Sequence, residues 1–379
     1  MKILCVDIGT GTQDIFLYDS RLDVENGFKL VVPSPTMMVH QRLREATKTG
    51  TAVALHGLTM GGGPSQWAAE AHLRAGYTVY ATPAAARSFN DDLDVIRDTG
   101  ITLVNDDELA ALPANVLRLG LRDFDFAAIA RALGEFGVSL GDLTAVVLGV
   151  FDHGNAPPNY SDRLFRFDYI RQRLQAQNQL SAFAYRAADV PPIMTRLRAV
   201  VHAAQDVDAP VVVMDTAPAA VLGATLDTAV RARQRVLVAN LGNLHTLAFR
   251  LGPTGIEGVF EHHTGMLDRP KLDDLLQRLA DGTLQHEAVY HDHGHGAYIN
   301  HTQPLSLSPG GFGVAVTGPR RSLLVGSALR PYFAAPFGDM MLTGCFGLLA
   351  AAADCLPELA PTIRASLYGR SGGLAPWDV

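Results

Sequence analysis

Cysteine is scarce in this chain: 379 residues contain only Cys5, Cys345 and Cys355. Three cysteines are too few for a disulfide scaffold, and no CxxC or CxxxCxxC spacing exists to hold an iron–sulfur cluster. Basic charge is also short. Lys and Arg number 31 against 38 Asp and Glu, a net charge of -7 at pH 7, which argues against a non-specific nucleic-acid binder. Long apolar runs are missing as well. The most apolar window, Met340 to Cys355, contains glycines and is short for a membrane span, so it reads as a buried helix and no membrane partner is expected. The first strand begins almost at residue 1, which leaves no room for a signal peptide. The expected location is cytoplasmic. The length suggests two or three domains.

What is present is a repeated hairpin. Residues 3–19 read as an apolar strand, a tight turn of Gly9, Thr10, Gly11 and Thr12, and a second alternating strand from Gln13. Such a turn exposes backbone N–H groups and hydroxyls without bulky side chains, which lets a polyphosphate approach the main chain. Asp7, at the end of the first strand, can hold a hydrated Mg²⁺ beside that phosphate. Residues 235–249 superpose on this copy without a gap: Asp7 falls on Asn240, Gly9 on Gly242, Gln13 on Thr246 and Phe16 on Phe249. One glycine-turn hairpin is common. Two matched copies, each opening a half of the chain, point to a duplicated fold.

Between and after the hairpins the pattern is α/β. A strand from Thr51 runs into Gly61–Gly63, then a helix over 65–75 with Ser65 as N-cap. An Ala-rich helix over 124–136 leads to the nearly all-apolar strand 143–151, which suits the middle of a sheet. That strand ends in Asp152, His153 and Gly154. Ligands of open α/β sheets gather at the carboxyl ends of strands, so Asp152 with His153 is a candidate for proton chemistry; the alternative is a turn or helix-cap acid. The arginine-rich segment 163–173 reads as a solvated face. A strand over 209–215 ends in Asp215 and enters a small-residue helix. The strand 312–317 passes Thr317 into a turn at Gly318.

This ordered set resembles the superfamily of actin, hexokinase and Hsp70-type ATPases. Residues 7–14 resemble its phosphate 1 motif and residues 215–223 its connect 1. Asn240 to Thr246 resemble phosphate 2, Thr317-Gly318-Pro319 the adenosine turn, and residues 338–352 connect 2. Within the superfamily the chain resembles a prokaryotic family labelled as related to pyruvate formate-lyase activation, through Asp152-His153-Gly154 and His262-His263-Thr264-Gly265. The resemblance implies an α/β protein of two RNase H-like lobes, here 1–215 and 216–379, with ATP and Mg²⁺ in a central cleft. It implies Mg²⁺ at Asp7 and Asn240. Phosphate would be held at Gly9, Thr10, Gly11, Thr12 and Gln13, and at Gly242, Asn243, His245 and Thr246, with the nucleoside near Thr317 and Gly318. Asp152 first and Asp215 second would orient a water or a substrate hydroxyl, assisted by His153. The acceptor is a small molecule or a protein of unknown identity. One departure stands out: most relatives carry an acid where this chain has Asn240, and an amide adds no negative charge. That favours an alternative, a nucleotide-binding regulator with little turnover.

Thirteen histidines are spread unevenly, with a group at His286, His291, His293, His295 and His301. The HxHxH spacing on an extended segment points His291, His293 and His295 to one side. A third reading is therefore a metal-dependent hydrolase built on this group; a solvated loop and a phosphate contact are the other readings of the same residues.

Overall fold

The computed structural model describes residues 1–307, 311–369 and 373–379. Its first three strands are β1 (Lys2–Ile8), β2 (Thr12–Asp19) and β3 (Phe28–Pro33). An inserted unit follows, with β4 (Val53–Gly57), β5 (Val79–Ala81), β6 (Thr102–Leu103) and β7 (Leu117–Leu121). The chain then returns with β8 (Ala145–Val150), β9 (Ala184–Arg186) and β10 (Val211–Asp215). The remaining strands are β11 (Val236–Leu241), β12 (His245–Gly252), β13 (Gly255–His263), β14 (Gly296–Ile299), β15 (Val314–Thr317) and β16 (Pro331–Phe333).

The first large sheet has the order β3-β2-β1-β8-β10-β9, and the second has β14-β13-β12-β11-β15-β16. In each, an antiparallel meander of three strands, β3-β2-β1 or β13-β12-β11, continues into two parallel pairings: β1 beside β8 and β8 beside β10, then β11 beside β15 and β15 beside β16. β9 and β14 add an antiparallel edge to each sheet. Each is therefore an RNase H-like sheet, and the chain is a duplicated, actin-like ATPase fold with a central cleft. The hairpin match is exact in register. Asp7 pairs with Asp14 and Asn240 with Leu247. Gly9 N–H donates to Thr12 O at 2.9 Å, and Gly242 N–H to His245 O at 3.0 Å. The equivalence continues past the hairpins, since β2 seats Thr12 opposite Pro33 where β12 seats His245 opposite His263.

β8 is buried at every position, as an apolar strand covered on both faces must be. The inserted sheet, β6-β5-β4-β7, is wholly parallel. It has its own core, in which Val39 and Leu43 from the helix Pro35–Thr49 meet Val53, Leu55 and Leu119. The helix foreseen over 65–75 spans Pro64–Arg74, and Ser65 is not its cap. Gly63 takes the N-cap position, at φ 48° and ψ -114°, and Ser65 is buried with its hydroxyl donating back to Gly62 O at 2.8 Å.

The chain after residue 340 goes back to the first sheet. The helix Thr343–Cys355 is buried from Thr343 to Ala353. It packs on β1 and β8 and crosses the helix Thr216–Ala224. The crossing is close because it is made of glycines. A Cβ at Gly223 would lie 1.7 Å from Thr343 O, and one at Gly347 would lie 1.8 Å from Ala219 O. Cys5 and Cys345 sit together in this shared core. Among the described residues no helix is long and apolar enough to cross a membrane.

Candidate functional site

The two glycine turns face each other across one small pocket of about 120 Å³. Asp7, Gly9, Thr10, Gly11 and Thr12 form one wall; Asn240, Gly242, Asn243 and His245 form the other, with Thr317, Gly318 and Gly344 at the base. The turns nearly touch, since a Cβ on Gly11 would come within 2.7 Å of Asn243 Nδ2. Two of the expected phosphate residues point elsewhere. Gln13 Nε2 donates to Pro33 O at 3.3 Å. Thr246 is fully buried and shares a hydrogen bond of 2.9 Å with Thr264. The cause is strand alternation: Thr12 and His245 face the pocket, so their next neighbours face away.

The same alternation brings in an acid that the sequence reading passed over. Asp14 is directly opposite Asp7 in the hairpin register, so their side chains share a face. Asp14 lines the pocket, is buried, and its Oδ1 has no hydrogen-bond partner. Burial first, and then the charge of Asp7, pushes its pKa up to about 8. Asp7 is raised to about 6, again chiefly by burial, although the Thr216 hydroxyl donates to its Oδ1 and opposes the shift. Carboxylate oxygens of this kind are the ligands that hard cations take.

Next to this pocket lies a larger polar cavity of about 920 Å³. Its walls come from the inserted unit, the β8 end and the second lobe; Thr10, Phe151, Arg196, Leu244 and His245 border both spaces. Asp152 and His153 line the larger cavity, whereas Asp215 lines neither. Asp152 is buried, with Oδ1 accepting from Gly154 N–H and Oδ2 from Leu197 N–H, each at 2.8 Å. Gly154 closes this turn at φ 74°, a conformation that suits glycine. The Asp-His-Gly element is thus a small clamp that presents His153. Asp215 caps the helix Thr216–Ala224 through Ala217 N–H at 3.1 Å and binds Arg166 Nη1 at 2.6 Å.

Arg166 corrects the reading of 163–173 as a solvated face. It belongs to the helix Asp162–Ala176 and is almost fully buried. Its Nε donates to both carboxylate oxygens of Glu261 on β13 at 2.9 Å, and its Nη1 donates to Asp152 O and Asp215. It therefore ties the two lobes together behind the site. Arg163, half-buried, donates to Tyr290 O and Gly294 O. Of the four arginines in the segment only Arg171 is exposed, as the composition suggested.

The histidines are also redistributed. His291 and His293 are exposed, and His295 alone turns inward and is fully buried. His293 has φ 65°, which breaks the extended alternation that would have aligned all three. His295 instead meets His153, His245 and His263. Its ring centroid is 6.0 Å from His153, 5.1 Å from His245 and 4.8 Å from His263. Phe151 stacks face to face on His245 at 4.1 Å, and the Arg166 guanidinium covers the Phe151 ring at 3.7 Å. Burial holds all four imidazoles below the usual histidine range, aided by one another and by nearby arginines; His153 lies at about 3. Across the cavity, Asp91 has an unpartnered, buried Oδ1 and is raised to about 6, first by burial and then by the charges of Asp152 and Asp162. No periodic pattern marks Asp91 in the sequence.

Residues 60–323 match the model of a family described as "Putative pyruvate format-lyase activating enzyme (DUF1786)". The chain belongs to this family. The matched span holds Asp91, Asp152, Arg166 and the four converging histidines, while the first hairpin lies before it. No curated protein matches the chain. Among solved structures, an activator of 2-hydroxyisocaproyl-CoA dehydratase from Clostridium difficile, with bound ADPNP, is 10% identical. That match covers 96% of this chain and 97% of the activator, with a TM-score of 0.34. An exopolyphosphatase-like protein is 11% identical over 97% of this chain and 92% of its own, at 0.27. The ROK hexokinase from Thermus thermophilus is 13% identical over 68% of this chain, at 0.23, and the match spans 47% of that hexokinase. At such scores the fold rests on the strand orders given above.

Proposed function

We propose that this family member binds Mg-ATP between its two hairpins and directs it, by phosphoryl transfer or hydrolysis, at an oxygen-rich acceptor in the larger cavity. The observation that carries this reading is the pair of equivalent glycine turns aimed at one pocket that also holds Asp7 and Asp14. The residues fit the ligand. The unpartnered Asp14 oxygen and the elevated carboxylates suit Mg²⁺, which would offset their charge and that of the phosphates. Gly9 to Thr12 and Gly242 to Asn243 would hold phosphate oxygens, and Asn240 would accept from a water of the metal's shell. Thr317 and Gly318 would border the nucleoside.

In this reading Asp91 takes the proton. Its free oxygen and raised pKa suit a base near neutrality, whereas both oxygens of Asp152 are already bonded to N–H groups. Asp152 and Asp215 would position His153 and Arg166. The acceptor would be a polar small molecule or a protein side chain that reaches the cavity. The family description suggests a radical-forming activase, but such chemistry needs a cysteine-held cluster. Two of the three cysteines here are buried in the helix-to-sheet core.

A second reading, a nucleotide-dependent regulator, is favoured by Asn240 standing where an acid would complete the metal site. One experiment separates them. Thermal unfolding with ATP or ADP, with and without Mg²⁺, reads binding, and phosphate release reads turnover. A Mg²⁺-dependent stabilisation with turnover supports the enzyme, the same stabilisation without turnover supports the regulator, and no stabilisation by either nucleotide overturns both.

A further inference from the structure

We propose that His153, His245 and His295 bind one divalent transition-metal ion of the zinc or ferrous class, with its remaining positions open to the 920 Å³ cavity. This does not rest on the nucleotide reading. The three imidazoles come from distant points of the chain: the end of β8, the turn of the second hairpin and the entry to β14. One ring nitrogen of each lies within 4.8 Å of the others. Three atoms so spaced lie on a circle of radius at most about 2.8 Å, so each needs to advance by less than about 1 Å to reach the ~2.0–2.1 Å of a Zn–N bond.

The environment asks for such an ion. His295 is fully buried, and neither of its ring nitrogens has a hydrogen-bond partner; His245 Nε2 also has none. A buried polar atom left unpaired costs about 1–3 kcal/mol, and an ion that accepts lone pairs would pair one such nitrogen on each of these two rings. Burial favours the neutral form of these rings. Neutral imidazole is the form that ligates metals. The rings are also held in place. Phe151 lies parallel to His245 at 4°, and the Asp152–Gly154 turn fixes the backbone of His153. Glu261 Oε1 stands 3.9 Å from His295 Nε2, beyond hydrogen-bond distance, and is bonded instead to Arg166. His263 lies beside the set, at its rim. Three protein ligands with an open side facing a cavity are the pattern of a catalytic rather than a structural metal. The open position would take a water or an oxygen of a hydrophilic substrate.

The test uses the full chain without a histidine tag. Protein from metal-supplemented cells should carry roughly one zinc or iron per chain by elemental analysis. After chelation, anaerobic Co²⁺ titration should give the intense visible bands of a four- or five-coordinate nitrogen-rich site, saturating at one equivalent. His153→Ala, His245→Ala and His295→Ala should each weaken Co²⁺ binding by about a hundredfold or more, while His291→Ala and His293→Ala should bind as the parent does. Equal losses in the exposed and buried variants would overturn the proposal. Should a buried variant not fold, the parent's spectrum decides alone: only the weak bands of a hexaaquo-like ion would overturn it.

Discussion

At the tip of the first hairpin the chain carries Asp7, Thr12 and Asp14; at the equivalent positions of the second it carries Asn240, His245 and Leu247. The backbones agree down to the hydrogen bond that closes each turn. The side chains do not. One copy places two buried carboxylates in one pocket, both with raised proton affinity, Asp14 partly through the charge of Asp7. The other contributes an amide and an imidazole, and the imidazole belongs equally to the larger cavity. The contrast teaches what a duplicated turn fixes: glycine and the path of the chain, where geometry is demanding, but not the charge that the turn presents. One copy became a cation-seeking pole. The other became part of a cluster of neutral bases.

The largest expected effect comes from cutting the tie between the two lobes. Arg166→Ala leaves Asp215 and Glu261 buried without their partner, and should cost about 3–5 kcal/mol in urea unfolding. A loss below about 1 kcal/mol would mean that the lobes are held by packing alone. Next comes the asymmetry itself. With Mg-ATP at about a hundred times its Kd, the parent should gain about 2.7 kcal/mol. Asp7→Ala should lose most of the Mg²⁺-dependent part, and Asn240→Ala should lose less. Equal losses would erase the distinction between the hairpins.

A smaller effect separates two acids of the larger cavity. Asp91→Asn should lower turnover at least tenfold, about 1.4 kcal/mol, with little change in unfolding. Asp152→Asn sets an amide against two N–H donors and should destabilise the fold by about 1–3 kcal/mol. The reverse pattern would return the proton to Asp152.

The gentlest test is pH, worth at most about 1.4 kcal/mol per pH unit for each group. Folded Asp7 and Asp14 hold their protons more tightly than the unfolded chain does, at about 6 and 8 against 3.8. In metal-free protein, their contribution is full at low pH and is lost as pH rises from about 4 through 8. The histidines behave oppositely. Their folded values lie below 6.5, with His153 near 3, so stability is lost as pH falls from about 6.5 towards 3. Melting temperature against pH should therefore form a dome. Asp14→Asn should flatten the alkaline limb and His153→Gln the acid limb; a change by both on the same limb would contradict the two-pole picture.

Much of this was legible before any coordinates. Both hairpins show as apolar runs meeting at glycine, and β8 and β10 show as unbroken Val-rich stretches, because burial on both faces leaves no other composition. Asp14 was legible too, through the symmetry of the turn that sets it opposite Asp7. Other features left no local trace. β5 and β6, of three and two residues, read as short apolar strands within 77–81 and 101–104, but nothing in them tells that they pair into a sheet of their own. Arg166 is buried by partners that lie 49 and 95 residues away. His295 depends on a left-handed residue at His293 that swings the chain inward, and Asp91 on the way the inserted unit faces the second lobe. Chemistry assembled across such distances is not written in spacing.

The glycine crossing of the helices Thr216–Ala224 and Thr343–Cys355 has a consequence for time rather than for space. Ligand pockets commonly measure about 300–1,000 Å³, and the space between the hairpins is about 120 Å³. On the nucleotide reading, entry and exit both wait for the lobes to part. The axis of that motion would run through Gly223 and Gly347, where backbone meets backbone and no side chains interlock. Such a joint works as a plain bearing. The rate at which it swings, more than the bond-breaking it encloses, would then set how many times per second the protein can act.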